Sequence, residues 1–329
     1  MDKNEIGKHV LILSAASKVA LVERFKAAAA RFNAKVYVSD TADTFAAQFI
    51  ADDTLDLPRT DAPDFAECLG AVVRRHNIGL VVPTRDAELA TLATLREQLG
   101  ALGAHVLVSP PNAISICQDK ARFLKVVEEL GLSGTPCLRH DSVTTAQFPL
   151  FTRPAKGAGS VGARRLDNIA AFEQAALDPT RTLLHPFIDL PEYSVDCLFE
   201  PNGAPLQAVT RSREQITAGE SKKSTILHAP QVTQDCLKLG AHLGLQGHVI
   251  FQVFWDGVSA PVFIEVNPRF GGASNCSIEA GLASPDRLMT LLFADQTAHA
   301  AARAPAPLRY GLTMLRYSRD IFVEQGTHA

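Results

Sequence analysis

Between residues 8 and 112 the chain alternates short apolar runs with amphipathic ones, and this alternation restricts its fold more than any other feature. His9-Val10-Leu11-Ile12-Leu13-Ser14 reads as a buried strand. Residues 18–32 follow with Val19, Val22, Phe25 and Ala29 at helical spacing. A second strand, Lys35-Val36-Tyr37-Val38-Ser39-Asp40, ends in an acid. Residues 64–76 and 86–99 read as helices, and residues 79–83 and 105–108 as strands. Strands separated by helices specify a parallel, doubly wound sheet. Such sheets bind ligands beyond the carboxyl ends of their strands, which puts Ser14, Asp40, Thr84, Arg85 and Asp86 on the open edge.

The pattern then changes. Residues 119–130 read as a helix closed by Gly131. Beyond it short strands dominate, at 150–153, 165–166, 183–184, 193–199, 206–213, 249–255 and 262–267, with helices at 169–176, 231–243 and 284–293. This mixture predicts an α+β lobe or a pair of them. Residues 297–307, rich in Ala and Pro, read as a linker, and residues 308–323 as a terminal pair of strands.

Composition narrows the function classes. The chain has 329 residues, 47% hydrophobic and 20% charged, enough for two or three packed lobes. A formal net charge of −3 gives no field that favours nucleic acid or an anionic membrane. No apolar run approaches the roughly 18 to 20 residues that span a bilayer. The six cysteines are scattered without a CxxC pair, so neither a zinc site nor a disulfide framework is expected. The polar start Met1-Asp2-Lys3-Asn4-Glu5 is unlike a signal or transit peptide. A reduced, cytoplasmic protein is the expectation.

The chemistry concentrates in Phe263-Ile264-Glu265-Val266-Asn267-Pro268-Arg269-Phe270-Gly271-Gly272. Residues two apart on a strand share a face, so Glu265, Asn267 and Arg269 line one wall. A carboxylate and an amide oxygen suit Mg²⁺, and an arginine beyond them suits a phosphoryl group. An edge strand with a wet polar face has the same alternation. A second motif, Gly157, Gly159 and Gly162 behind Arg153 and Lys156, satisfies GxGxxG formally. A dinucleotide fingerprint needs a helix at its third glycine, whereas Arg164-Arg165-Leu166-Asp167 reads as a return strand. A glycine hairpin that closes its N–H groups over phosphate is the better reading, beside a merely structural hairpin. The cationic, hydroxyl-rich stretch 210–224 reads as a loop, either a solvated charge run or a source of phosphate ligands in Arg211 and Lys222 or Lys223. By location, Ser274, Asn275 and Ser277 are candidate contacts to an acceptor substrate.

In order along the chain, Asp119-Lys120, Arg153-Pro154 with the glycine hairpin, Pro191-Glu192-Tyr193-Ser194-Val195-Asp196 and Glu265-Val266-Asn267-Pro268-Arg269 resemble the ATP-grasp superfamily, in the branch of the carbamoyl phosphate synthase large subunit. Val82-Pro83-Thr84-Arg85-Asp86-Ala87-Glu88-Leu89 resembles the pre-ATP-grasp domain of the same proteins. The resemblance implies a pre-ATP-grasp α/β domain over 1–115, a small lobe with the flap over 116–190 and a metal-bearing lobe over 191–329. It implies ATP and Mg²⁺ (or Mn²⁺) as cofactors. Lys120, Arg153 and Lys156 would meet the phosphates, and Gly157, Gly159, Ser160 and Gly162 would cover them. His185, Phe187 and Ile188 would form an adenine hinge and Glu192 would hold the ribose. Glu265, Asn267 and Gln252 would ligate metal, and Arg269, Arg211 and Lys223 would steady the transferred phosphoryl. Three positions depart from the usual pattern: Gln252 where an acid is frequent, Pro186 where a glutamate is and Leu190 where a glycine is. The implied activity is ligation of a small carboxylate to an amine through an acyl phosphate, possible in a homodimer and without nucleic acid or membrane partners. A nucleotide-binding sensor or scaffold, or a kinase- or carboxylase-type enzyme on the same fold, is the alternative.

Overall fold

The first five strands are short, and the three at the centre of their sheet are almost wholly apolar, as strands covered on both faces must be. In the computed structural model, which describes residues 7–157, 159, 161–217 and 219–323, they are β1 (His9–Leu13), β2 (Val36–Ser39), β3 (Asp53–Thr54), β4 (Ile78–Val82) and β5 (His105–Val106). They pair in parallel in the order β3-β2-β1-β4-β5. Helices α1 (Val19–Ala30), α2 (Phe65–Arg75) and α3 (Asp86–Gly100) make the crossovers. The order reverses at β1, so the crevice between the carboxyl ends of β1 and β4 is the natural place for a ligand. Thr84 closes that crevice by donating its hydroxyl to the Leu13 and Ser14 carbonyls.

A further helix, α4 (Pro111–Cys117), runs into α5 (Lys120–Glu129). Asp119 caps α5, its Oδ1 accepting from the N–H groups of Ala121 and Arg122 at 3.1 and 3.2 Å. After the two-residue β6 (Ser133–Gly134) come β7 (Leu150–Pro154), β8 (Arg164–Leu166) and β9 (Thr182–Pro186), with α6 (Ile169–Gln174) between the last two. These strands form an antiparallel sheet in the order β8-β7-β9. The glycine stretch is therefore the turn of the β7–β8 hairpin.

The largest sheet holds β10 (Glu192–Phe199), β11 (Pro205–Ser212), β12 (Glu214–Thr217), β13 (Glu220–Leu227), β14 (Gly247–Phe254) and β15 (Val262–Asn267) in the order β12-β13-β11-β10-β14-β15-β6. Helix α7 (Pro230–His242) packs on β10 and β11. The short α8 (Ser274–Ser277) follows β15, then α9 (Ser284–Phe293), α10 (Gln296–Arg303) and β16 (Thr313–Leu315), which pairs with β13.

Three expectations are corrected. Residues 297–307 are not a linker throughout, since α10 occupies most of the stretch. Asp295 caps that helix, accepting from the Ala298 N–H; the cap followed by an alanine-rich run was the missed signal. The terminal pair of strands reduces, among the described residues, to β16 alone. The stretch 210–224 is not a loop but the end of β11 and the β12–β13 hairpin, in which charged side chains alternate with buried serines.

One apolar core joins the first sheet to the largest one. Val10, Ile12 and Phe25 belong to the same buried cluster as Val209, Ile226, Phe270 and Met289. The Phe25 and Phe270 rings meet edge to face at 5.6 Å. Phe270 follows directly on Arg269, three residues beyond the end of β15, so this packing fixes the first sheet against the candidate residues.

Candidate functional site

One face of the largest sheet carries most of the candidate residues. Glu192, Ser194 and Asp196 share a face of β10, His248, Ile250 and Gln252 a face of β14, and Glu265 and Asn267 a face of β15. Register brings them together, with Gln252 opposite Glu265 and Ser194 opposite both Gln252 and Arg211.

Glu265 is the centre of this wall. Its Oε2 lies 3.6 Å from the Lys120 ammonium and 4.0 Å from Nη1 of Arg153. Asn267 donates to its Oε1 at 3.3 Å. With the Gln252 amide nitrogen turned towards the carboxylates, it donates to Glu265 Oε1 at 3.1 Å and Glu192 Oε1 at 3.2 Å, while its oxygen accepts from Arg213 at 3.3 Å. Gln252 thus bridges two acids that a carboxylate at this position would repel. Burial pushes the Glu192 carboxyl up, offset in part by Arg213, whose Nε stands 2.9 Å away.

The donors present fit a divalent ion that arrives with a polyphosphate rather than one held by the chain alone. Among the described residues no three His, Cys, Asp or Glu side chains group to hold a metal. One carboxylate with neighbouring amides leaves most of an octahedral shell to phosphate and water, as Mg²⁺ prefers. Replacing Gln252 by Glu would set three carboxylates side by side. The expected outcome is a lower melting temperature in a chelator, recovered by Mg²⁺ by more than in the wild type; a thermal melt with and without Mg²⁺ checks it.

Lys120 and Arg153 are nearly inaccessible, 9% and 6% exposed. Lys120 opens α5; its backbone N–H donates to the Ala155 carbonyl and its ammonium to the Gly157 carbonyl at 2.6 Å, so the helix start holds the base of the glycine turn. Arg153 donates from Nη2 to Thr135 and to the Ile264 carbonyl, and from Nε to His185 Nε2 at 3.1 Å. His185 donates from Nδ1 to the Pro136 carbonyl at 2.8 Å, which leaves Nε2 as the acceptor.

Burial and the Arg153 charge push His185 down to about 4, against the bond to Pro136. Burial and Arg96 push His105 down to about 4 as well. Both stay neutral in the folded chain and titrate near 6.5 when unfolded. The unfolded chain therefore binds more protons between these values, and stability contributed by the two groups is lost as pH falls from 6.5 towards 4. Glu88 and Glu192, raised by burial, work the other way. A His185→Gln variant is expected to show a shallower fall of melting temperature over that window than the wild type; an identical slope would show that His185 does not titrate there.

The glycine turn needs its glycines for backbone reasons. Gly157 and Gly159 have φ of +112° and +71°, with open space where a Cβ would stand. The Gly159 backbone lies 3.6 Å from the Cβ position of Gly219, so the tip of this turn reaches the β12–β13 turn across the cleft. Lys156 is largely exposed, 3.9 Å from Asp119. Gly162 completes the turn at φ +78°, and Ser160 lies outside the described residues.

Arg269 is held by the first sheet. Its Nε and Nη2 both donate to Asp86 Oδ2, the former at 3.0 Å, and Nη2 also donates to Asn267 Oδ1 at 3.1 Å. Arg211, 2% exposed, donates from Nε to Asp196 at 2.6 Å, while its Nη1 is buried on the cleft wall without a hydrogen-bond partner among the described residues. Asp196 is fully buried and also accepts from His248, Ser274 and Ser277, each at 2.9 Å. Burial works against its charge, but Arg211 and His248 more than offset this and hold the carboxyl well below the usual range.

Several candidates stand apart. Lys223 points at Glu214, 2.8 Å away, and is not on the cleft wall. Ser274 and Ser277 face Asp196 in the interior rather than a substrate. The proposed hinge is engaged within the small lobe: His185 holds Arg153, the Phe187 N–H donates to the Pro149 carbonyl, and the Phe187 ring lies under the Arg165 guanidinium at 4.4 Å. Neither Phe187 nor Ile188 lines the cavities described next. Sequence reasoning missed Lys18, Arg213 and Glu220, which line the cleft; the single cue was their place after β1 and in the cationic stretch.

Three cavities meet at this wall, of about 430, 330 and 120 Å³. Among the described residues Glu265 alone lines all three. The smallest combines Phe151, Phe254 and Ile264 with Lys120, Arg153 and the glycine turn. A larger cavity of about 770 Å³ lies at the far side of the first sheet, around Arg96, His105 and Phe293. It lacks this constellation, so chemistry rather than volume places the site.

Comparison with known proteins agrees with this geometry. Residues 10–107 match the family model "PylC-like, N-terminal domain", and residues 178–314 match "ATP-grasp in the biosynthetic pathway with Ter operon". The chain carries an ATP-grasp domain behind a PylC-like N-terminal domain. A carbamoyl phosphate synthase large chain from Gemmatimonas aurantiaca is 26% identical over 256 residues, which cover 71% of this chain and 23% of that protein. The chain therefore spans about a quarter of the curated relative it matches. Its fold is similar to an L-amino acid ligase from Bacillus licheniformis, with a TM-score of 0.68 at 17% identity over 93% of this chain and 78% of that one. It is similar also to the biotin carboxylase domain of the Hydrogenobacter thermophilus 2-oxoglutarate carboxylase, solved with MgADP, ADP and bicarbonate, with a TM-score of 0.70 at 15% identity over 92% and 71%. The fold is thus the two-lobed ATP-grasp fold expected, behind a parallel α/β sheet. No described helix is long and apolar enough to cross a membrane.

Proposed function

We propose that this chain is an ADP-forming ligase that joins a small carboxylate to an amine through an acyl phosphate. The observation that carries the reading is the placement of Glu265, shared by three cavities and set between Lys120, Arg153, Asn267 and Gln252. The smallest cavity suits the nucleotide, its apolar side chains against the base and its cations and glycine N–H groups around the phosphates. Glu192, at the same cavity, is the candidate for the ribose hydroxyls. Mg²⁺, which would be held by Glu265 and Asn267 with Gln252 beside them, supplies charge neutralisation for the polyphosphate when bound.

The reaction then has two steps. A carboxylate oxygen attacks the γ-phosphorus and ADP leaves, giving an acyl phosphate. The amine nitrogen attacks the acyl carbon, the C–O bond to phosphate breaks, and the nitrogen loses a proton as the amide forms. Arg211, with its unengaged Nη1, and Arg269 face the cleft where negative charge gathers. Phosphoryl transfer depends chiefly on positioning and charge neutralisation, which these groups supply. The neighbours' printed names, a ligase and a carboxylase, agree with acyl-phosphate chemistry.

The test is product analysis with ATP, Mg²⁺ and pooled carboxylates, with and without pooled amines. ADP and phosphate that accumulate only with both pools are the expected result. AMP would overturn the mechanism in favour of adenylation. Phosphate retained on one substrate would mean a kinase, and tight nucleotide binding without turnover a sensor.

A further inference from the structure

The charges at the N-terminal end of the 430 Å³ cleft do not balance. Lys18, Arg85 and Arg269 line this end. Arg316 reaches it from the segment after β16, hydrogen-bonded to Glu220 and to the Gly272 carbonyl. The carboxylates facing them are Asp86, taken by Arg269, and Glu220, shared by Arg316 and Lys18. Four cations thus meet two carboxylates on this part of the cleft wall, with the buried Glu88 carboxylate beside Arg85 the third acid near them, while Glu265 in the same cleft is already flanked by Lys120 and Arg153.

The excess is concentrated on two groups. The Lys18 side chain is 14% exposed, and its ammonium lies 3.9 Å from Glu220. Burial lowers its proton affinity, Glu220 opposes this, and Arg269, Arg316 and Arg85 lower it further, so Lys18 sits among neighbouring cations. Arg85 has no hydrogen bond or ion pair from its guanidinium among the described residues. It stands between this cleft and a pocket of about 110 Å³ above β1, β2 and β4. That is the carboxyl edge of the parallel sheet, where such folds place ligands. Deeper in the cleft, Arg211 Nη1 is buried without a hydrogen-bond partner among the described residues. A cleft of this volume holds a small molecule.

We infer that the acid bound here carries a second anionic group, a carboxylate or a phosphate, which lies against Arg85 and Lys18 while its reacting carboxylate lies towards Arg211. The assignment of ends rests on the ligase reading; the recognition of a dianion does not. The nucleotide phosphates do not account for the excess, because in that reading Lys120, Arg153 and the glycine turn serve them at the opposite end.

Calorimetric titration of the full chain tests this without turnover. The probes are glutarate, 3-phosphoglycerate and butyrate, each with and without Mg²⁺ and a non-hydrolysable ATP analogue. At least one dianion is expected to bind about tenfold or more tightly than butyrate, as one added charge-assisted contact gives. The tighter of the two names the second group. Arg85→Ala and Lys18→Met should each bring the dianion close to butyrate and leave butyrate unchanged. Equal affinities for the three acids, dianion binding intact in both variants, or no binding of any probe would overturn the inference. A dianion that binds as expected but releases no ADP with ATP and pooled amines would sink the ligase reading and leave this subsite standing.

Discussion

Replacing Glu265 by alanine is expected to reduce Mg²⁺-dependent ADP formation by about 10³-fold or more, the scale on which a group that organises charge at a reacting phosphoryl acts. The side chain is part-exposed on the cleft wall, so its removal opens no core cavity. It does leave the Lys120 and Arg153 cations without their shared carboxylate. Both keep other partners, the Gly157 carbonyl for Lys120 and Thr135, His185 and the Ile264 carbonyl for Arg153. The melting temperature should therefore stay near that of the wild type while turnover collapses. Steady-state ADP release over a Mg²⁺ titration separates the cases: wild-type turnover in the variant would remove Glu265 from the metal site. Glu265→Gln keeps the shape and loses the charge, so its activity should also be low.

Replacing Asp196 by alanine should have the largest effect on stability, a loss of about 3–5 kcal/mol, the range for removing one partner of a buried ion pair. The carboxylate is fully buried and accepts from Arg211, His248, Ser274 and Ser277. Without it the Arg211 guanidinium remains in the interior with no counter-charge. The loop behind Gly271 also loses its anchor, since Ser274 both accepts from the Gly271 N–H and donates to Asp196. Urea unfolding checks the expectation; a loss under about 1 kcal/mol, the level of an exposed ion pair, would mean that Asp196 is not charged in the folded chain. Asp196→Asn restores shape and part of the hydrogen bonding, and should fall between the two.

Local pattern was sufficient for most of the elements. The apolar runs at Val10–Leu13 and Leu80–Val82, separated by helical spacing, required a parallel sheet, and Asp119 and Gly131 marked the ends of α5. Failures came where a competing local signal was read first. Pro305 and Pro307 drew residues 297–307 towards a linker although Asp295 capped a helix just before them. The β12–β13 hairpin was hidden because two of its three buried positions are Ser221 and Ser224, with Ile226 the sole apolar one. The periodicity of a strand is visible only when burial and hydrophobicity coincide.

The candidate site divides in the same way. Glu265 and Asn267 lie two residues apart on β15, so strand geometry alone puts them on one wall, whereas Arg269 stands beyond the end of the strand. Gln252 could be placed beside Glu265 because one hairpin joins their strands. No local rule could report that Asp86, from the first sheet, would hold Arg269, or that Lys18 and Arg85 would face Arg316 across one cleft. These residues are far apart in sequence, and their meeting depends on the shared core that sets Phe25 against Phe270. Nor could local reasoning separate Arg211 from Lys223, two cations in one polar stretch. Pairing with β10 turns Arg211 inward to Asp196, whereas Lys223 faces Glu214 across the β12–β13 hairpin. By itself the sequence determined the kinds of layer and the pairing of Glu265 with Asn267 on one face of a strand, because periods of 2 and 3.6 residues act over short spans. The tertiary structure alone decided which charges neutralise one another and which await a ligand, because that depends on packing between segments up to about three hundred residues apart.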